Sequence, residues 1–364
     1  FIFVDTMAKP HKNIVFYLLS VLYGIVTETR NRMFDWGILK QHSFDFPIIS
    51  IGNLAVGGTG KTPHTEFIIQ QLSKNIKIAV LSRGYKRATK GFVLAGKEST
   101  AKTIGDEAFQ IFSKFPEVTV AVDEKRVRGI GRLMKQCPEI KAIILDDAYQ
   151  HRHVKAGLSV LLTDYSALYA DDFILPYGNL REHKNNSNRA DIIVVTKCPD
   201  EFQLEEFSKI ERKLNPATHQ QLFFSRFEYG NIYPVFSEGK NLSLEKTGEG
   251  MAILLVTGIV SPTPLLNYLK NFTTKITTKF FPDHHDFSKN ELNDIEKEFE
   301  KMTGFKIILT TEKDAARLKS NPYLTEKLKK NLYAMPLEVK ISNNEQDKFI
   351  QKIQDYVSKN SGNR

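Results

Sequence analysis

Eight consecutive residues, Ala55-Val56-Gly57-Gly58-Thr59-Gly60-Lys61-Thr62, carry the clearest chemical signal in the chain. Glycines at this density let backbone amides turn toward phosphate oxygens. A lysine near the end of the run reaches the outer phosphates, and the threonine after it offers a hydroxyl to magnesium. The apolar segment Pro47–Ile51 precedes the run and a helical pattern follows it, with Pro63 in a first turn where an amide is free in any case. Strand, glycine loop and helix in that order form a P-loop, which implies a bound nucleoside triphosphate, ATP, together with Mg2+. The run opens on Ala55 where the common pattern has Gly, and alanine serves there provided the residue avoids positive φ.

Magnesium also needs a carboxylate. Ala142–Leu145 is apolar and runs into Asp146-Asp147, so Asp146 leaves the C-terminal end of a strand, as a Walker B aspartate does. Phosphoryl transfer to an alcohol further needs a group that orients the hydroxyl and takes its proton. Asp106 and Glu107 open a helical pattern and are candidates, although an acidic pair also suits a helix N-terminus on dipole grounds alone. Asp283-His284-His285-Asp286 and His151-Arg152-His153 raise the question of a metal site. Neighbouring histidines in an extended segment point to opposite faces, and no further ligand set accompanies either cluster. Arg83 and Lys86 follow the second strand and Arg126 and Arg128 the third, on the sheet edge where open parallel sheets bind ligands. They are candidates for phosphate contact, with a solvated loop as the alternative.

These groups require a scaffold. Pro47–Ile51, Ile76–Leu81, Val118–Val122, Ala142–Leu145, Leu158–Thr163 and Asp191–Thr196 are short apolar runs without alternation, the pattern of strands buried on both faces. Helical spacing in Thr65–Leu72 and Glu107–Phe115 separates some of them, which predicts a parallel α/β sheet. From His219 to Phe236 two strand-like runs surround a Gly-Asn turn, and a polar stretch, Ser237–Gly250, follows. Ala252–Thr257, Thr277–Phe281, Lys306–Thr310 and Leu332–Val339 then form a second α/β series, with Ser288 and Glu291 as a capping box between them. The expected fold is α/β: a P-loop NTPase-type parallel sheet flanked by helices, and a second, smaller α/β lobe joined by a short β linker. The boundaries expected are 1–40 for an N-terminal interfacial helical region, 41–218 for the P-loop kinase core, 219–250 for the linker and 251–364 for the second lobe.

Composition narrows the class without choosing a substrate. The 364 residues are 41% hydrophobic and 26% charged, within the globular range, so disordered and collagen-like chains are excluded. Lys and Arg outnumber Asp and Glu by 51 to 42, which favours an anionic partner such as a phosphorylated substrate or an acidic membrane surface. Nucleic acid has little beyond charge behind it, since no aromatic-basic module is present. Cys137 and Cys198 are not in a C-x-x-C pair, which points to a reducing compartment. Ile14–Val26 is almost wholly apolar but about 20 Å long as a helix, against roughly 30 Å of hydrocarbon. With Lys9, Lys12, Arg30 and Arg32 around it, and Tyr23 and Trp36 nearby, it reads as an interfacial helix, a buried core helix being the alternative. Met7 is a candidate start.

Several segments, in order and spacing, resemble the tetraacyldisaccharide 4′-kinase family, the lipid A 4′-kinases. They are Leu22-Tyr23-Gly24; Ile51-Gly52-Asn53-Leu54 before the phosphate loop; Leu81-Ser82-Arg83-Gly84-Tyr85; Ile104-Gly105-Asp106-Glu107; and Asp146-Asp147-Ala148-Tyr149-Gln150-His151. Pro176-Tyr177-Gly178-Asn179-Leu180-Arg181-Glu182, Arg189-Ala190-Asp191, Thr196-Lys197, Asp283-His284 and Thr311-Glu312-Lys313-Asp314 complete the set, which covers most of the chain. The family also lacks a Gly at the position of Ala55. It usually has Asp-Asp-Gly-Phe-Gln-His, so Ala148 and Tyr149 depart from it at a place that touches loop shape and leaves the carboxylates alone.

The resemblance implies an ATP-dependent kinase of the 4′-hydroxyl of a tetraacylated glucosamine disaccharide 1-phosphate, giving lipid IVA, at the cytoplasmic face of a Gram-negative inner membrane. It implies that the family's catalytic aspartate and its supporting histidine fall on Asp106 and His284, from different lobes. Lys61 would neutralise charge on the moving group, and Thr62 and Asp146 would share magnesium, with Glu182 a direct or indirect partner of the metal. Arg83, Lys86, Arg126 and Arg181 are candidates for contact with substrate phosphate, and Asp147 for metal or acceptor. A lipid acceptor that stays in the bilayer favours the interfacial reading of the first helix and an anionic membrane surface as partner.

Rival readings are a P-loop GTPase or metallochaperone and a kinase of another small saccharide. Thr196-Lys197 begins the guanine-selecting pattern, but Pro199 stands where its aspartate belongs. A nucleotide-binding scaffold without turnover is a third. Acyl-chain preference and oligomeric state are not encoded in any pattern found.

Overall fold

A computed structural model describes residues 13–201, 204–236, 241–247 and 250–361. Met7, Lys9, Lys12 and part of the Ser237–Gly250 stretch lie outside the described residues.

The strands are β1 (Ile48–Asn53), β2 (Ile78–Ser82), β3 (Val93–Leu94), β4 (Thr119–Val122), β5 (Ala142–Leu145), β6 (Leu158–Asp164) and β7 (Ile192–Thr196). After them come β8 (Gln221–Tyr229), β9 (Tyr233–Pro234), β10 (Ala252–Thr257), β11 (Ile276–Phe280), β12 (Lys306–Thr311), β13 (Leu332–Met335) and β14 (Leu337–Ile341). The helices are α1 (Ile14–Asp35), α2 (Lys61–Leu72), α3 (Ala101–Ile104), α4 (Asp106–Lys114), α5 (Arg126–Gln136) and α6 (Leu204–Leu214). The rest are α7 (Leu244–Thr247), α8 (Thr263–Lys270), α9 (Lys289–Lys301), α10 (Glu312–Lys319), α11 (Glu326–Asn331) and α12 (Gln346–Ser361).

A nine-stranded sheet runs β14-β8-β7-β6-β1-β5-β2-β4-β3. Its seven inner strands are parallel, and an antiparallel strand closes each edge. Every residue of β1, β2, β5 and β7 is buried, which is why these runs are apolar throughout rather than alternating. Phe67, Ile68 and Leu72 of α2 and Phe349, Ile353 and Val357 of α12 cover one face. Ile130 and Leu133 of α5 and Ile210 and Leu214 of α6 cover parts of the other. The second sheet, β11-β10-β12-β13-β9, is parallel except for its short edge strand β9. Apolar clusters fill both of its faces, and the capping box of Ser288 and Glu291 opens α9.

The chain divides between the sheets differently from the sequence expectation. β8, in the segment read as a linker, is a full member of the large sheet and pairs parallel with β7. The run read as one strand over Leu332–Val339 is two strands in different sheets, split at Pro336, which has no amide to give a ladder. Past that proline the chain leaves the second lobe. β14 pairs with β8 from Leu337↔Tyr229 to Ile341↔Ser225. The Tyr356 hydroxyl of α12 lies 3.0 and 3.1 Å from the backbone N and O of Ile48, on the strand that leads into the phosphate loop. The two crossings lie side by side, with the Gly230 amide donating to the Pro336 carbonyl at 3.2 Å.

No helix among the described residues is long and apolar enough to cross a membrane. α1 nevertheless leaves Ile14, Leu18, Leu22, Ile25 and Val26 exposed, Leu22 at 61% and Val26 at 66%, so its apolar half is not part of this chain's core. Its C-terminal half is tied down: Arg152 donates to the Asn31 carbonyl at 2.7 Å and to Asp35 at 2.6 Å.

Candidate active site

The phosphate loop leaves the C-terminal end of β1, in the middle of the large sheet. Its start is fixed by pairing. Ala55 forms an antiparallel bridge to Leu180, and the Val56 amide donates to the Asn179 carbonyl at 2.8 Å. The extended conformation at Ala55 removes the need for glycine there. Gly57 and Gly60 do need it, with φ of 108° and 82°. A Cβ on Gly60 would also stand 2.5 Å from the ring of Phe227. Asn53, at the end of β1, donates to the Thr59 hydroxyl at 2.9 Å, and the Thr196 hydroxyl donates to the Thr59 carbonyl at 2.9 Å. Gly58 and Val56 face open space. Lys61 lies 3.5 Å from Asn53 Oδ1 and 3.8 Å from Asp147 Oδ2, and Thr62 sits in the first turn of α2 beside it.

His64, one turn further along α2, is buried and reaches the Gly60 carbonyl through Nδ1 at 2.8 Å and the Ser225 hydroxyl through Nε2 at 2.9 Å. Burial pushes its pKa down to about 4. The neutral ring therefore donates from Nδ1 to the carbonyl and accepts at Nε2, which ties the loop to β8.

Asp146 follows β5, the neighbour of β1 in the sheet, and is buried. The Thr65 hydroxyl donates to its Oδ1 at 3.0 Å. Burial and then the adjacent Asp147 raise its pKa, with Thr65 and Lys61 acting against them. A buried carboxylate with a second one beside it fits a cation. A hydroxyl from Thr62 and a carboxylate from Asp146 are the hard oxygen donors that magnesium takes alongside phosphate and water. Among the described residues no group of three or more His, Cys, Asp or Glu is arranged to hold a metal ion by itself, and magnesium bound with a triphosphate requires none. Asp147 has φ of 45° and lies between Lys61 and Arg181, whose NH1 is 3.4 Å from Asp147 Oδ1 and 3.2 Å from Gln150 Oε1. Glu182 is occupied. It accepts from Asn31 of α1 at 2.8 Å, from Gln150 at 3.1 Å and from Arg189 at 2.8 Å.

Asp106 is the first residue of α4. Gly105 before it has φ of 90°, and a Cβ there would meet the Tyr85 carbonyl at 3.0 Å, so the turn packs directly on the loop after β2. Asp106 Oδ2 lies 2.9 Å from His284 Nδ1 and 2.8 Å from Arg317 Nε, both from the second lobe. Lys313 Nζ stands 3.2 Å from His284 Nε2. An ammonium can only donate, so Nε2 accepts; Nδ1 lies 3.2 Å from Arg317 NH2, also a donor, and nearer to Asp106 Oδ2, the acceptor that takes its proton. Tyr85 meets His284 edge-on at 5.9 Å between ring centroids. His285 turns away to bond Glu291 at 3.0 Å and stack on Phe281, so the two histidines serve different places. Glu107 points into the same region. Burial and then Asp146 raise its pKa to about 7, while Lys313 and Lys61 act against them.

The basic candidates separate. Arg83 and Lys86 are exposed on the loop beside Asp106. Arg126 is buried and donates to the carbonyls of Asp123 at 2.6 Å and Asp146 at 3.1 Å, and burial lowers its pKa to about 10. Arg128 is held by a two-pronged bond to Asp123. His151 is a neutral ring with a pKa lowered to about 4 by burial and by Arg126, and Arg152 anchors α1. Sequence reading left Arg317 and Lys313 without roles, and it raised Glu107 beside Asp106 as an acid–base candidate without giving it a role in the site. The Thr311-Glu312-Lys313-Asp314 segment was the available signal for the first two.

Residues 12–357 match the family described as tetraacyldisaccharide-1-P 4′-kinase. The tetraacyldisaccharide 4′-kinase of Bacteroides thetaiotaomicron is 50% identical, over 98% of this chain and 95% of its own. That of Flavobacterium johnsoniae is 46% identical, over 95% and 97%. A crystal structure of LpxK from Aquifex aeolicus in complex with ATP matches with a TM-score of 0.72 at 27% identity, covering 94% of this chain and 98% of that one.

Proposed function

The chain belongs to the tetraacyldisaccharide-1-P 4′-kinase family, and on that premise we propose that it transfers the γ-phosphoryl group of ATP to the 4′-hydroxyl of a tetraacylated glucosamine disaccharide 1-phosphate. The product is lipid IVA, at a late step of lipid A biosynthesis. The observation that carries the reading is the bond between Asp106 and His284, made across the lobe boundary close to a phosphate loop. An acid–base pair assembled from two lobes suits a transfer that must exclude water.

The roles follow from the contacts. Backbone amides of Val56–Thr62 hold the β and γ phosphates, and Lys61 offsets charge on the moving group. Thr62 and Asp146 would hold magnesium, which would supply positive charge to offset that of the phosphates. Asp106 orients the 4′-hydroxyl and accepts its proton, while His284 holds the carboxylate through Nδ1–H. Arg83 and Lys86, exposed beside it, meet the acceptor's phosphate. Arg181 keeps Asp147 in place near Lys61. Glu182 fixes Gln150 and Arg189 and joins α1 to the segment beside the phosphate loop, so any effect it had on magnesium would be indirect. The exposed apolar half of α1 enters the headgroup region at the cytoplasmic face of the inner membrane, with the basic excess favouring anionic lipid.

The test is ADP release by the purified protein in detergent, with and without the disaccharide 1-phosphate. The expected result is turnover that requires this lipid and places phosphate at the 4′ position. Asp106→Ala should reduce kcat about a hundred- to ten-thousand-fold with ATP affinity retained. ATP turnover indifferent to the lipid, or an Asp106→Ala variant at full rate, would sink the reading.

A further inference from the structure

α4 and α10 pack against each other across the lobe boundary, and ion pairs join them at both ends. Lys114, the last residue of α4, bonds Glu312, the first of α10, at 2.6 Å. At the other end Arg317 of α10 bonds Asp106 of α4 at 2.8 Å. The first contact lies away from the chemistry and the second lies on the reacting carboxylate.

Arg317 is itself held rigidly. Its side chain is 6% exposed, and NH1 donates to Asp314 Oδ1 at 2.8 Å. Asp314 is fully buried. Its Oδ2 accepts from the Thr257 hydroxyl at 2.8 Å, the Gly258 amide at 3.0 Å and the Thr311 hydroxyl at 2.7 Å. A chain of hydrogen bonds thus runs from the ends of β10 and β12 through Asp314 and Arg317 to Asp106. Arg317 Nε and His284 Nδ1 both donate to Oδ2. Among the described residues, nothing hydrogen-bonds Oδ1.

We propose that Arg317 is a positioning residue for phosphoryl transfer: it fixes the plane of the Asp106 carboxylate from the second lobe, so that Oδ2 is engaged and Oδ1 is the oxygen presented to the acceptor hydroxyl. This rests on the reading of Asp106 as the proton acceptor. A carboxylate at the tip of a helix turns about two side-chain bonds, and one hydrogen bond from His284 leaves its plane free to swing. A second donor on the same oxygen, carried on a planar guanidinium locked to a buried aspartate, removes that freedom. Misplacement of a reacting group by about 1 Å costs up to about a hundredfold in rate. The arrangement also makes the base complete only when the second lobe is docked.

A double-mutant cycle between Arg317 and Asp106 tests it, with kcat, both KM values and Tm measured for each full-length variant. Arg317→Met should lower kcat about ten- to a hundredfold and leave both KM values within about threefold. Arg317→Lys, which keeps the charge but not the planar guanidinium, should fall between wild type and Arg317→Met. On an Asp106→Asn background, Arg317→Met should lower the residual kcat by less than about twofold, because residues acting as a unit are not additive. Multiplicative losses in the cycle, or a loss carried by KM, would overturn the proposal while leaving the role of Asp106 intact. Asp106→Asn at wild-type rate would remove both. If Arg317→Met folds poorly, Arg317→Lys in the same cycle gives the same discrimination.

Discussion

Arg126 and Arg83 follow neighbouring strands and look alike as basic residues, yet their surroundings separate them. Arg126 is buried with donors on the carbonyls of Asp123 and Asp146, so its removal leaves buried carbonyls without partners. Arg126→Met should therefore lower stability by about 1–3 kcal/mol for each carbonyl left unpaired, visible as a fall in Tm. Arg83 is exposed. Arg83→Ala should keep the wild-type Tm and raise KM for the phosphorylated acceptor. An unchanged Tm in Arg126→Met would mean that water or a neighbouring side chain replaces the guanidinium. The same distinction applies at Glu182, whose donors Asn31, Gln150 and Arg189 make it a junction between α1 and the site.

At the scale of elements, α2 carries two buried titratable groups with opposite pH behaviour. Glu66 meets Gln110 at 2.7 Å and Lys114 at 2.6 Å, and Lys114 also serves Glu312, so two carboxylates share one ammonium. Burial and then Glu312 raise the Glu66 pKa to about 7. A raised carboxyl pKa contributes stability that is fully present below its ordinary value and is lost as pH rises through about 7. Glu66→Gln leaves one ammonium with one carboxylate. Its Tm advantage over the wild type should grow as pH rises from about 5 to 8. A difference in Tm that is flat with pH would show that Glu66 stays ionised throughout. His64, lowered to about 4, acts with the other sign: its contribution is present above its ordinary value and is lost as pH falls through about 4. Replacing His64 with Asn should flatten the acid side of the Tm profile, at the cost of loosening Gly60 from β8.

For the whole molecule, the proposed function asks one geometry of the exposed apolar half of α1 and the two-lobed site: the acceptor's acyl chains would stay in the bilayer while its sugar reaches Asp106. Tyr17 packs edge-on against Tyr177 at 5.5 Å, so the exposed helix continues into the Pro176–Glu182 segment that braces the phosphate loop. Charges on the exposed face should weaken attachment to a bilayer. Leu18→Glu combined with Leu22→Glu should reduce cosedimentation with anionic phospholipid vesicles about tenfold or more, with Tm unchanged because neither residue is in the core. Equal cosedimentation of variant and wild type would assign membrane attachment to another surface.

The phosphate loop, the aspartate after β5 and the buried strands are legible in the sequence because each is a local matter. Glycine is required where φ is positive, and unbroken β-branched runs suit strands covered on both faces. The α/β class follows from the order of those runs. Which sheet a strand joins is not local. Leu332–Val339 reads as one strand, and only packing shows that it splits at Pro336, with β14 and α12 returning to the first lobe beside β8 and β1. The cluster around Asp106 is likewise a product of lobe docking: its pairing with His284 is expected only from the family resemblance, and Arg317 is not expected at all. His284 and Arg317 lie 178 and 211 residues from Asp106, and no spacing rule spans such separations. Burial decided the rest: it placed Arg126 and Glu182 inside networks that residue type alone does not reveal, because charge is written in the sequence and solvent access is set by the fold.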